Sequence, residues 1–247
     1  MVAHRAAAQG HATLDSLAGW LTREIEAIID TQYQNCSTVQ DTAFIVREFL
    51  QHPTAVGAIA PSSQQLAKAV VAPIPAHGDP VVVELGPGTG AFTRAIQSRL
   101  GTRGRHIAVE VNPRLAKLTA LRHPSVEVAE ASAEHLPRIL ANHGVAQADL
   151  IISGLPWVAL PAPLRDAMLD ATTTVLSPGG VFTTFGYAWV RVSTPARRFR
   201  RALGTRFEEV IAGRTILRNV PPAFVYYARR PLPHDTSATI PCVRQPH

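Results

Sequence analysis

The stretch that most constrains this chain runs from Val81 to Thr93 and reads Val-Val-Val-Glu-Leu-Gly-Pro-Gly-Thr-Gly-Ala-Phe-Thr. Three consecutive β-branched apolar residues, Val81, Val82 and Val83, read as a strand buried on both faces, ended by Glu84 and Leu85. Gly86, Gly88 and Gly90 lack a Cβ, so the chain after the strand can turn tightly and bring its backbone against a ligand. A helix is expected over 91–100. Strand, glycine turn and helix predict an α/β protein with a nucleotide-type cofactor at the carboxyl edge of a parallel sheet.

The glycine spacing narrows the cofactor. A dinucleotide turn reads Gly-x-Gly-x-x-Gly and seats a pyrophosphate on the helix N-terminus. Here the third glycine comes one residue early, and Glu84 stands just before the loop. A carboxylate there is poorly placed for phosphate and well placed for the ammonium end of an amino-acid-like ligand. Glu-Leu-Gly-Pro-Gly-Thr-Gly resembles the first motif of S-adenosylmethionine-dependent methyltransferases with the Rossmann-like fold. The resemblance implies S-adenosyl-L-methionine as cofactor, S-adenosyl-L-homocysteine as its product, and Glu84, Gly86, Pro87, Gly88, Thr89 and Gly90 in the site.

Further strands fit that frame. His106–Val111 ends in Glu110, about twenty residues beyond the loop, where such a site holds ribose hydroxyls. An ionised carboxylate, which only accepts, suits a diol, and Val111 adjoins it. A helix is expected over 116–121 and a third strand over 126–129. Many relatives carry an aspartate at the adenine where Ser132 falls, so the resemblance assigns Ser132 and the Ala133 amide to that contact. The fourth strand, 149–152, runs into Ser153-Gly154-Leu155-Pro156-Trp157.

That loop departs from the Asn-Pro-Pro-aromatic loop of nucleic-acid and amide N-methyltransferases and resembles the one in bacterial phospholipid N-methyltransferases. The resemblance implies that Ser153, Gly154 and Leu155 orient an amine, with Ser153 also at the cofactor. It places Trp157 and Tyr187 around the cationic product, since tryptophan is the best aromatic face for a methylated ammonium. A core or groove-lining tryptophan is the other reading of Trp157.

A helix over 163–176, a Ser177–Gly180 turn and a strand over 181–185 come next, with an aromatic exit at Phe185, Tyr187 and Trp189. Arg191, Arg197, Arg198, Arg200, Arg201 and Arg206 cluster around Phe199 and Leu203. Such a cluster is a solvated face or a contact for anionic lipid or nucleic acid. Strands over 207–213 and 223–228 complete an expected seven-stranded, mostly parallel sheet with an antiparallel C-terminal strand.

Two more segments resemble the phospholipid enzymes, and more distantly the ribosomal RNA adenine dimethylases. Arg47–Ser63 reads Arg-Glu-Phe-Leu-Gln-His-Pro-Thr-Ala-Val-Gly-Ala-Ile-Ala-Pro-Ser-Ser, which implies that Ile59, Ser62 and Ser63 lie at the cofactor. Ser62 or Ser63 also suits the N-cap of a helix from Gln64 to about Val71. Arg218-Asn219-Val220-Pro221-Pro222-Ala223-Phe224-Val225 implies Arg218 on a phosphate and Asn219 on the headgroup.

The expected organisation is an N-terminal helical extension over 1–42, a methyltransferase domain over 43–230 and a flexible tail over 231–247. Leucine and isoleucine recur at helical spacing from Leu14 to Tyr33 within the extension. A net charge of +6 and a pI of about 10.0 invite an anionic partner. Cys36 and Cys242 lie near opposite ends, which argues against a disulfide scaffold, and no metal site is expected. The sequence has no bilayer-spanning apolar run and no signal-peptide core, so a cytoplasmic protein peripheral to the inner membrane face is expected. The resemblance implies an N-methyltransferase of a primary amine, with the phosphatidylethanolamine headgroup as leading substrate, methylated once or successively. A peptide or small-molecule amine is the alternative, and ribosomal RNA adenine ranks below both.

Overall fold

The computed structural model describes residues 63–233. Ile59, Ser62, the expected N-terminal helix and most of the tail lie outside them. Helix α1 (Gln64–Val70) starts at Ser63, whose hydroxyl accepts from the Leu66 amide. Alternation follows: β1 (Val81–Leu85), α2 (Ala91–Leu100), β2 (Arg105–Glu110), α3 (Pro113–Arg122), β3 (Glu127–Glu130), α4 (Leu136–Asn142), β4 (Ala148–Ser153), α5 (Ala162–Val175) and β5 (Leu176–Tyr187). The chain closes with α6 (Thr194–Gly204), β6 (Phe207–Ala212) and β7 (Ala223–Pro231).

These strands form one seven-stranded sheet in the order β3-β2-β1-β4-β5-β7-β6. β1 to β5 pair in parallel, and β7 runs antiparallel to both β5 and β6. The expected architecture is the observed one. β1 pairs with β2 on one side and β4 on the other, so the order of winding reverses between β1 and β4 and makes their carboxyl ends the topological switch point of the sheet.

The two-residue period of the strands sorts the core into two layers. Val83, Leu85, Ile107, Val109 and Ile151 face a cluster that includes Leu136, Leu169, Phe199 and Phe207. Val82, Leu150 and Ile152 face the other, with Leu66 and Val70 of α1 and Phe92 and Ile96 of α2. Near-continuous apolar runs in β1 and β4 follow from this double burial.

Two local expectations change. Ser177–Gly180 does not separate a helix from a strand; it bulges inside β5, since Leu176 pairs with Ala148 while Val181 pairs with Leu150. The arginine cluster also divides. Arg197, Arg198, Arg200 and Arg201 lie exposed on α6, whereas Arg206 Nε donates to Asp170 at 2.6 Å and belongs to the packing of α6 on α5.

Candidate active site

The glycine turn after β1 is a backbone cradle. Gly86, Gly88 and Gly90 have φ of 69°, 54° and 85°, the left-handed region that L side chains rarely adopt. The Gly86 amide donates to the Val109 carbonyl at 2.9 Å, tying the turn to β2. On its other side the Gly154 amide donates to the Leu85 carbonyl at 2.8 Å. A Cβ on Gly154 would lie 2.8 Å from the Gly86 carbonyl oxygen, so the two loops meet backbone to backbone. Gly154→Ala must therefore force them apart, at an expected cost of about 1–3 kcal/mol in stability. It should also weaken cofactor binding. Melting and S-adenosylhomocysteine calorimetry check this; wild-type behaviour in both would show that the contact is dispensable.

Two buried carboxylates flank the cradle. Glu84, at the end of β1, is fully buried and accepts from the Thr93 hydroxyl at 2.9 Å and from His106 Nε2 at 3.1 Å. Glu110 closes β2, with the Asn112 amide donating to Oε1 at 2.9 Å and the Gly88 amide to Oε2 at 3.4 Å. Burial pushes its carboxyl above the ordinary glutamate value, an effect partly offset by the backbone amides of Asn112, Gly88 and Val111. Both acids stand at the same sheet edge as the cradle. Ser132 and Ala133 lie beyond β3, Ser132 half-buried and Ala133 buried at the start of a 3-10 turn. The neighbouring Glu134 has a buried Oε1 that, among the described residues, has no hydrogen-bond partner and faces His135 Nε2 at 3.7 Å. An acid directly after the small Ser132-Ala133 pair was its only sequence signal.

The loop after β4 corrects the reading of Trp157. Its ring is 2% exposed, stacks on Phe199 at 5.6 Å with planes 13° apart, and meets Phe182 edge-on at 5.6 Å. Its Nε1–H donates to Ser153 Oγ at 2.9 Å. Both the face and the polar edge are occupied, so Trp157 is a core residue that shapes the loop and not an aromatic wall for a cation. Ser153 Oγ also accepts from the Leu155 amide, and the Ser153 carbonyl accepts from Thr184 Oγ1. Among the described residues, the Gly154 carbonyl accepts no hydrogen bond. Tyr187 keeps its aromatic role open: it is half-buried at the end of β5, edge-on to Phe185 at 5.6 Å.

Asn219 is also corrected. It is 4% exposed; its Oδ1 accepts from the Ser63 amide at 2.9 Å and its Nδ2 donates to the Pro221 carbonyl at 2.7 Å. Its amide clips the start of α1 to the β6–β7 connection, 156 residues away in sequence, so this buried side chain holds the fold together and is not presented to a headgroup. Arg218 beside it is exposed.

A mostly parallel sheet with a glycine cradle at its switch point, an acid ending β2 and an antiparallel last strand is the frame expected of an S-adenosylmethionine-dependent methyltransferase. Residues 82–180 match the family described as "Methyltransferase domain". The ornithine lipid N-methyltransferase of Singulisphaera acidiphila is 34% identical over 195 residues, covering 77% of this chain and 97% of that protein. The chain belongs to the same family of S-adenosylmethionine-dependent N-methyltransferases as that enzyme. Solved structures share the fold. The 1,6-didemethyltoxoflavin-N1-methyltransferase of Burkholderia thailandensis aligns with a TM-score of 0.54 at 16% identity, over 79% of this chain and 91% of that one. TrmN from Thermus thermophilus aligns with a TM-score of 0.51 at 21% identity, over 67% of this chain and 48% of that one, so this chain spans about half its length.

The residues present fit the cofactor. Where a Cβ would crowd the cradle there is none, and two buried carboxylates, which can only accept, flank it, as a ribose diol and an ammonium group require. Glu110 would hold the ribose, Glu84 the amino-acid end, and Ser132 and Ala133 the adenine.

Proposed function

We propose that this enzyme methylates the primary amine of a membrane-lipid headgroup, with ornithine lipid the first candidate and phosphatidylethanolamine the second. The observation that carries this reading is the 34% identity to an ornithine lipid N-methyltransferase across 97% of that protein. The surface at the carboxyl edge supports it. The connections leaving β5 and β6 at the carboxyl edge present exposed Val192, Leu217 and Val220 beside exposed Arg191, Arg214 and Arg218. Apolar side chains interspersed with arginines suit an anionic bilayer surface, which would place the protein peripherally on a membrane.

A sulfonium methyl donor supplies the activated carbon and a neutral leaving group, so the protein's task is alignment. The amine must arrive unprotonated, because its lone pair forms the new N–C bond. Among the described residues the Gly154 carbonyl, next to the glycine cradle, accepts no hydrogen bond and would take an amine N–H. Ser153, fixed by Trp157, Leu155 and Thr184, holds that carbonyl in place. The half-buried ring of Tyr187 would face the positive charge that passes from sulfur to nitrogen as the N–C bond forms and the S–C bond breaks.

The test is mass spectrometry of lipids after incubation with S-adenosylmethionine and vesicles of ornithine lipid or phosphatidylethanolamine, with a peptide amine and RNA in parallel. Mass gains of one or more methyl groups on either lipid support the proposal. Methylation of the peptide or RNA with both lipids unchanged overturns it.

A further inference from the structure

Beneath the cofactor cradle runs a hydrogen-bonded chain that the methyl-transfer step does not use. It joins Ser125, Gln97, His106 and Glu84. Ser125 Oγ donates to Gln97 Oε1 at 2.6 Å, and Gln97 Nε2 lies 2.9 Å from His106 Nδ1. With the Gln97 amide assigned so that Oε1 accepts from Ser125, its Nε2 donates to Nδ1, and this assignment puts the imidazole proton on Nε2. That proton faces Glu84 Oε2 at 3.1 Å. Thr93 and Gln97 stand one turn apart on α2, so a single helix face anchors both the carboxylate and the histidine.

The consequence is electrostatic. Glu84 is fully buried, yet both of its donors, the Thr93 hydroxyl and an imidazole whose other nitrogen accepts, are uncharged. Among the described residues, no lysine or arginine forms an ion pair with it. A buried anion with neutral partners keeps a strong attraction for an incoming cation. We propose that His106, held in this tautomer by Gln97, is a positioning residue for the ammonium end of S-adenosylmethionine: it fixes the Glu84 carboxylate while leaving its charge uncompensated. This rests on the cofactor, not on the identity of the amine substrate.

Calorimetry with two ligands tests it. S-adenosylhomocysteine carries the amino-acid end, whereas 5′-methylthioadenosine has the same nucleoside and thioether without it. His106→Leu is expected to weaken S-adenosylhomocysteine binding about tenfold and leave 5′-methylthioadenosine within about twofold. His106→Gln, which returns an N–H near the Nε2 position, should restore S-adenosylhomocysteine to within about threefold of wild type. Equal weakening of both ligands by His106→Leu, or no weakening of either, overturns the proposal. Should His106→Leu fail to fold, Gln97→Met at the half-exposed end of the chain carries the same test, with the same selective loss expected and the same equal loss fatal. Wild-type protein that binds neither ligand would overturn the cofactor assignment itself, a result distinct from a variant that loses selectivity.

Discussion

Trp157→Ala is expected to destabilise the protein by about 3–5 kcal/mol, the cost of emptying a large aromatic site in a packed core. The ring is buried between Phe199 of α6 and Phe182 of β5, so its removal loosens a helix and a strand together. It also takes away a donor to Ser153 Oγ, in the loop that carries the Gly154 carbonyl. Trp157→Phe separates the two effects. It keeps most of the stacking and loses the N–H, and should fold with reduced turnover. Thermal melting for the alanine variant and kinetics for the phenylalanine variant check these outcomes. An alanine variant that melts with wild type but loses turnover would restore Trp157 to the substrate wall.

Glu110→Gln should weaken S-adenosylhomocysteine about thirtyfold, or about 2 kcal/mol, because charge-assisted bonds to the ribose diol become neutral ones. Stability should move the other way. Burial raises the folded-state carboxyl above its unfolded value. For such a group the stabilising contribution is present below the unfolded value and lost as pH rises through the folded one. Above its raised value, where Glu110 is ionised, its burial therefore costs the unliganded protein stability, and Glu110→Gln is expected to melt at or above wild type there. In the wild type, cofactor affinity should fall as pH is lowered, starting above the ordinary value of 4.5, because a protonated carboxyl cannot accept from both hydroxyls. Calorimetry across pH and paired melts measure both signs; unchanged affinity in Glu110→Gln removes the ribose assignment.

Much of the site was legible because it is built by local rules. A β-branched run followed by closely spaced glycines can do little but end a strand and turn, and the observed φ values of Gly86, Gly88 and Gly90 are those that such spacing demands. Counting residues places Glu110 at the end of β2, because a βαβ unit has a nearly constant length, and the strand does end there. The misread residues share a different character. Trp157 and Asn219 stand in motifs that resemble functional ones, but what each does depends on partners distant in the chain, Phe199 for one and Ser63 for the other. His106 gave no signal, as an isolated polar residue in a strand acquires meaning only through α2 packed across it.

The sequence by itself determined the α/β architecture, the seven strands and the cradle, and its resemblance to a methyltransferase motif added the cofactor class. Periodicity, glycine placement and short loops act over a few residues and survive in any tertiary setting. Only the tertiary structure decided which aromatic face stays open, which amide is consumed in a clip, and that Glu84 lies buried with neutral donors. Those are questions of desolvation and of who occupies each hydrogen-bond valence, and they are settled by neighbours brought together across the sheet.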